Sequence, residues 1–244
     1  MPAQDMAIRS IRAFTLIELL VVVGLTGLLA GLLLSGIGNA KAKARRVACA
    51  NNLRQINLGL RMYSDDSRDA TPSLSTPNNP TFSLVAYKRL MKRYVGRDDP
   101  SSGPEKVFAC PADLFYYDEA MSIARYVPHG LWEQSISDYT SYAFNGGNEM
   151  GNSRPGIAGL KLSSIREPAK TVLVAEGSAY IPWSWHQPKR PLSHENAKFN
   201  NAMNTVSFVD GHVSHIRIYW DDNRSGLALD YDPPAEYGYR WSGN

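Results

Sequence analysis

The sequence predicts an α+β fold, in which a long N-terminal helix with a transmembrane first half packs on a globular domain containing an antiparallel sheet. Three observations predict this fold. An apolar run occupies residues 14–37; as a helix it measures roughly 36 Å, and a hydrocarbon core is about 30 Å thick. Apolar residues then recur at helical spacing as far as Tyr63. Later in the chain, an alternating segment ends in Asp210-Gly211, a dipeptide typical of β-hairpin turns.

The composition is that of a globular protein with an ordinary core. The chain has 244 residues, a net charge of +3, 43% hydrophobic residues and 20% charged residues. These values exclude a disordered or collagen-like chain. The residues beyond the helix, about 180, suffice for one domain. Much of the basic excess lies in one cluster at residues 41–46. No long basic face follows elsewhere, so we expect no nucleic-acid partner.

Glu18 interrupts the apolar run, and a carboxylate in a membrane-length segment is costly and usually functional. A cleaved secretory signal peptide would use Arg9 and Arg12 as its basic start and residues 40–42 as its cleavage site. The apolar region of such a peptide is typically only about 7–15 residues long. An ordinary N-terminal membrane anchor explains the length of the run but leaves Glu18 without a partner.

A third interpretation comes from the segment Ala13-Phe14-Thr15-Leu16-Ile17-Glu18-Leu19-Leu20-Val21-Val22-Val23. It resembles the processing motif of type IV pilins and type II secretion pseudopilins. The resemblance implies that prepilin peptidase cleaves between Ala13 and Phe14, and that Phe14 becomes the N-methylated amino terminus. Family members usually have Gly at the position of Ala13. Three regions follow: a leader over residues 1–13, a transmembrane and amphipathic helix over 14–66, and a globular domain over 67–244.

The resemblance also assigns a role to Glu18. Cleavage creates a positive amine at Phe14, and Glu18 of a neighbouring subunit can neutralise that amine inside the bilayer or the filament core. Pairing offsets much of the cost of a buried charge, so it favours one axial register between subunits. The alternative is that Glu18 extends to the membrane surface near the start of the helix.

The expected location also follows from the resemblance: a single-pass inner-membrane protein with its C-terminal domain in the periplasm, and a periplasmic or extracellular filament after assembly. The charges that flank the apolar run favour the opposite orientation. Arg9 and Arg12 precede it, whereas four Lys or Arg residues follow it closely.

The later elements are predicted from local patterns. Cys49, Leu53, Ile56, Leu60 and Tyr63 form one stripe of an amphipathic helix, which the acidic residues from Asp65 onward and Pro72 are expected to end. A second helix is predicted over residues 83–95, and strands over 171–175, 205–209 and 212–220. A two-residue turn at Asp210-Gly211 would place Phe208 opposite Val213, and a shift in the apolar alternation predicts a bulge near Ser214 or His215.

Three further segments, residues 49–56, 108–113 and 207–213, resemble a large group of prepilin-like proteins with an extended C-terminal domain. Members of that group often have a His ten residues before the Asp-Gly turn. This chain has Asn200 at that position.

The two cysteines are Cys49 and Cys110. Outside the cytoplasm such a pair is most simply one disulfide, whereas in the cytosol two unrelated buried thiols would be expected. Cys49 lies on the helix stripe that must meet the domain, and Cys110 follows the apolar pair Val107-Phe108. We therefore expect a bond that ties the domain to the helix.

The segment from Asp221 to Asp232 matches much of a calcium-binding loop. The expected ligands are Asp221, Asn223, Ser225 and Asp232, with Gly226 at the tight turn. Ser225 and Asp232 replace the more usual residues of the motif, and Pro233-Pro234 excludes an exit helix. Major pseudopilins, which this chain resembles, have a calcium-stabilised loop near the C-terminus, although its pattern differs. The alternative is a solvated acidic loop.

No nucleophile elbow, phosphate loop or zinc motif occurs in the sequence, so we expect a protein that is not an enzyme. The predicted function is that of a structural subunit of a type II secretion or type IV pilus-like filament. Its partners would be copies of itself or related subunits, prepilin peptidase, and an inner-membrane assembly platform with its ATPase. Two alternatives are an exported or membrane-anchored hydrolase, and a filament-tip protein that binds glycans or surfaces through the aromatic stretch 180–186.

Overall fold

The computed structural model describes residues 15–73, 82–95, 105–118, 125–151, 154–181, 183–187, 201–221 and 226–244. Over these residues the fold is α+β, as predicted, with a long helix and an antiparallel sheet. The chain divides into two units, residues 1–43 and residues 44–244. The first unit is described by its part of the long helix, and the second contains the core.

Helix α1 runs without interruption from Leu16 to Asp66. Its apolar part is long and apolar enough to cross a membrane, and its large hydrophobic side chains, from Leu16 to Ile37, are exposed. Asp65 and Asp66 form the last residues of the helix. It ends where Arg68 and Asp69 adopt positive φ angles of 57° and 68°, with the Asp69 amide donating to the carbonyl of Ser64 at 2.8 Å.

The predicted stripe on the second half of α1 is confirmed as core. Its members Cys49, Leu53, Ile56 and Leu60 are fully buried. They share a cluster with residues of helix α2 (Phe82–Met91) and of the sheet. A Cβ at Gly59 would come within 3.0 Å of the side chain of Val95, so a glycine allows close contact at this point.

Two sheets follow along the chain. Strands β1 (Tyr116–Asp118) and β2 (Arg125–Val127) form a small antiparallel pair. The main sheet is antiparallel in the order β3-β4-β5-β6. Its strands are β3 (Tyr142–Phe144), β4 (Val172–Glu176), β5 (Ala202–Phe208) and β6 (Val213–Ile218). Short 3-10 helices lie between these elements, at Lys92–Val95, Lys106–Phe108, Leu131–Glu133, Ser135–Ser137, Gly147–Glu149, Leu162–Ser164, Gly177–Ala179, Ala228–Asp230 and Ala235–Tyr237.

The main sheet contributes to two apolar clusters. Leu173 and Val174 belong to the cluster that contains the helix stripe. Val172, Val206 and Ile218 belong to a second cluster, which includes Trp241 near the end of the chain. The central strands are therefore buried on both faces, and β4 is an apolar run rather than an alternating one.

The hairpin between β5 and β6 differs from its prediction. Ser207, not Phe208, pairs with Val213, and the Phe208 amide donates to the carbonyl of His212 at 2.9 Å. The turn therefore has three residues and ends at Gly211, whose φ of 104° favours glycine. The register of β6 is regular, so the predicted bulge is wrong. The apolar alternation shifts because Val213 packs against the first apolar cluster, whereas Ile216 and Ile218 pack in the second, on the other face of the sheet. The irregularity in the sheet lies instead in β4, between Val172 and Val174.

Candidate functional site

The start of α1 places Glu18 in a capping box with Thr15. The amide and hydroxyl of Thr15 donate to Glu18 Oε2 at 2.9 and 2.8 Å, and the Glu18 amide donates to Thr15 Oγ1 at 3.3 Å. This reciprocal arrangement satisfies two amides that a helix start leaves unpaired. The sequence signal for this box is Thr-x-x-Glu at residues 15–18. Ala13 and Phe14 lie outside the described residues, so the cleavage site stays a prediction.

The predicted disulfide is confirmed. Cys49 on α1 is bonded to Cys110, and their Cα atoms are 4.9 Å apart. Both residues are fully buried. Asn52, one turn along the helix, donates to the carbonyl of Ala109 at 2.9 Å and so holds the same loop. The bond therefore attaches the domain half of α1 to the segment that follows the 3-10 helix Lys106–Phe108.

A buried glutamate and a buried histidine contact each other directly beside the disulfide. Glu176, at the end of β4, is fully buried, and its Oε1 is 2.7 Å from Nε2 of His186, whose side chain is 3% exposed. Glu176 Oε2 accepts the amide of Thr205 on β5 at 2.8 Å. Cys110 Sγ lies 3.7 Å from Glu176 Oε1 and 4.0 Å from His186 Nε2. A carboxyl group, an imidazole and two sulfurs thus converge at one point of the interior.

Asp113 forms a second polar centre three residues after Cys110. Its carboxylate accepts the amides of Leu131 and Trp132 at 2.7 and 3.1 Å and the hydroxyl of Ser141 at 2.7 Å. Burial raises the pKa of Asp113 to about 7, although these three hydrogen bonds favour the ionised form. Ser141 in turn accepts the amide of Cys110 at 2.9 Å, so this network positions the cysteine loop.

The two neighbouring histidines of the hairpin lie in different environments. His215 packs edge-on against His186, with ring centres 5.6 Å apart, and burial lowers its pKa to about 4. The imidazole of His215 is therefore neutral at pH 7. His212 is exposed, stacks on Phe208 and pairs with Asp210 at 2.6 Å.

The structure describes Asp221 and residues 226–232 of the predicted calcium loop. Asn223 and Ser225 lie outside the described residues. The Asp221 amide donates to the Tyr231 hydroxyl at 2.8 Å. Asp232 accepts the amides of Trp241 and Ser242 at 2.6 and 2.9 Å, so its carboxylate already binds the C-terminal segment. Calcium binding stays a prediction.

The aromatic stretch considered as a binding surface belongs to the core. Tyr180, Trp183 and Trp185 are buried. The indole of Trp185 donates to the carbonyl of Phe115 at 2.8 Å, and the Tyr180 hydroxyl donates to the carbonyl of Ala143 at 2.9 Å. These rings pack the domain, and their burial removes the observation on which the tip-binding alternative depended.

The comparisons with known proteins give one partial match. A family model described as "Protein of unknown function (DUF1559)" matches residues 38–84, which include the domain half of α1 and the start of α2. No curated protein matches the chain, and no solved structure matches it.

Proposed function

We propose that the chain is a pilin-like structural subunit of a type II secretion or type IV pilus-like filament. The observation that carries the proposal is the division of α1. Its first part exposes large apolar side chains, whereas its second part is core of the domain. An apolar surface of this size requires lipid or other protein to cover it. A helix anchored in the membrane before assembly and packed among copies of itself afterwards meets that requirement in both states.

Two further observations support this proposal. The partial match is to DUF1559, a family of prepilin-like proteins, and it covers the part of α1 that enters the domain. The disulfide between Cys49 and Cys110 suits a domain outside the cytoplasm, because disulfides persist in oxidising compartments. We accordingly propose an inner-membrane anchor, a periplasmic domain and a role in assembly rather than catalysis. Processing by prepilin peptidase and extrusion by an assembly platform with its ATPase belong to the same proposal.

The capping box suggests how Glu18 can cap the helix of a single subunit and also pair with a neighbouring subunit in the filament. Both hydrogen bonds from Thr15 reach Oε2, so Oε1 can accept the Phe14 amine of a neighbouring subunit without breaking the cap. Capping lowers the cost of holding the carboxylate in the membrane before assembly, and the second charge adds the stabilisation that sets the register.

Two experiments test this function. Mass spectrometry of the mature protein should find N-methylated Phe14 at its amino terminus, whereas a start at Lys43 would indicate signal peptidase and remove the filament proposal.

Glu18→Gln should insert normally but assemble poorly, because the amide can keep the cap but not the charge. Thr15→Ala is the matched control, which loses the two hydrogen bonds of the Thr15 hydroxyl, keeps the charge of Glu18 and should assemble. Normal filament levels with Glu18→Gln would disprove the amine pairing.

A further inference from the structure

The disulfide and its surroundings contain four residues of types that bind transition metals. Cys49 comes from α1, Cys110 from the loop after a 3-10 helix, Glu176 from the end of β4, and His186 from the segment that follows. One ligand atom from each residue lies within 4.8 Å of all the others. All four side chains are buried. With the disulfide formed, the sulfurs are bonded to each other and no thiolate is available to a metal.

We propose that reduction of this disulfide converts the cluster into a zinc site with two cysteines, one histidine and one glutamate as ligands. Structural zinc is bound in a tetrahedron, at about 2.3 Å from sulfur and about 2.0–2.2 Å from nitrogen or oxygen. Those bond lengths place a sulfur ligand about 3.6 Å from a nitrogen or oxygen ligand. The distances from Cys110 Sγ to Glu176 Oε1 and to His186 Nε2, 3.7 and 4.0 Å, are close to this value.

Two separations must increase when the metal enters. The sulfurs move apart once their bond is broken, and the His186–Glu176 contact of 2.7 Å opens to about 3.4 Å as zinc takes the place of the hydrogen bond. Hydrogen bonds that would hold two of the metal ligands in position are already present. The Thr205 amide holds the second oxygen of Glu176, and Ser141 holds the backbone of Cys110. Such outer contacts orient metal ligands and tune their affinity.

The chemistry balances with a phosphine as the reductant. The phosphine takes an oxygen atom from water and becomes a phosphine oxide, while the two electrons and two protons convert the disulfide into two thiols. Zinc then displaces both thiol protons to the buffer. The proton between His186 Nε2 and Glu176 Oε1 moves to Nδ1 of the imidazole or to the buffer, so zinc binds two thiolates, the carboxylate and a neutral imidazole. The same dithiol exists in every new chain before its disulfide forms, so zinc and oxidation compete for the same two cysteines. The proposal does not depend on filament assembly.

The test uses the full chain in detergent, reduced with a phosphine under anaerobic conditions, with Co²⁺ as the spectroscopic probe. We expect one Co²⁺ per chain, the visible absorption of tetrahedral cobalt and a thiolate-to-cobalt charge-transfer band, all lost when Zn²⁺ is added. The oxidised protein should show none of these bands. Zn²⁺ should also raise the melting temperature of the reduced protein, because it binds the folded form.

Three variants distinguish zinc binding by all four residues from zinc binding by the two cysteine thiols alone. Glu176→Gln and His186→Gln each remove one ligand and should weaken Zn²⁺ binding by more than the roughly 10–100-fold typical of outer-contact changes. His212→Gln, at an exposed histidine outside the cluster, should bind as the wild type does. Formation of the disulfide on re-oxidation checks the fold of each variant. Equal affinity in all three variants, or a reduced wild-type protein with neither cobalt–thiolate absorption nor stabilisation by Zn²⁺, would overturn the proposal.

Discussion

Breaking the disulfide should destabilise the domain by an amount that the length of its loop predicts. Cys49 and Cys110 are 61 positions apart, and a cross-link over such a loop contributes about 4 kcal/mol through the entropy of the unfolded chain. That is a large share of the roughly 5–15 kcal/mol that stabilises a typical domain. The buried contacts of Leu53, Ile56 and Leu60 remain without the bond, so the helix should stay docked but open more readily.

The expected loss corresponds to a fall in melting temperature of roughly 8–16 °C for a unit of this size. It is measured on the full chain in detergent, with a chelator present to exclude metal binding. Three samples are compared: the oxidised wild type, the reduced wild type, and the double variant Cys49→Ala, Cys110→Ala. The reduced wild type keeps both sulfur atoms, so its difference from the oxidised protein isolates loop closure from packing.

The double variant provides the control, because a reductant should leave its melting temperature unchanged. Thiol titration must show two reactive thiols in the reduced wild type after unfolding. If those thiols are present and the melting temperature falls by less than about 2 °C, the loop-closure argument is wrong for this protein.

Three other perturbations should have measurable effects. Asn145 donates to the carbonyls of Val172 and Trp241, both at 2.8 Å. Asn145→Asp removes both donors in the core and should lower the free energy of unfolding, measured by denaturant titration, by about 3 kcal/mol or more. An unchanged free energy of unfolding would show that these bonds are not needed. Lys88 is buried and donates to the carbonyl of Asp138 at 2.7 Å. Lys88→Met should lower the free energy of unfolding by about 2 kcal/mol in the same assay. An unchanged denaturation midpoint would contradict this. Millimolar calcium should raise the melting temperature of the wild type but not of Asp221→Ala, and the absence of any shift would leave the solvated-loop interpretation.

Several features were predictable from the sequence because neighbouring residues encode them. The apolar run, the stripe through Leu53, Ile56 and Leu60, and the capping box at Thr15 and Glu18 all follow from helical spacing within one segment. Strands β4, β5 and β6 were predictable from their apolar content and the Asp-Gly turn, whereas the short strands β1, β2 and β3 were not predicted. The disulfide followed from there being only two cysteines, both next to apolar residues.

The details of the hairpin depended on packing beyond the segment itself. Asp210-Gly211 is compatible with turns of more than one length. Asn57 of α1 donates to the Phe208 carbonyl at 2.7 Å, and Arg61 donates to the Val209 carbonyl. These helix contacts suit the three-residue turn. The sequence signal located the turn correctly, but it could not decide its length.

The sequence by itself determined the two α-helices, strands β4, β5 and β6, the apolar stripe of α1 and one covalent link. Only the tertiary structure brought Glu176 and His186 to the disulfide and surrounded Asp113 with three donors. The physical reason is the range of the interactions. The periodicity of a helix or strand depends on residues a few positions apart. The groups around the disulfide and Asp113, in contrast, come from segments separated by tens of residues. Their meeting depends on the register of β4 and β5 and on the burial of the helix stripe, which the whole core decides together.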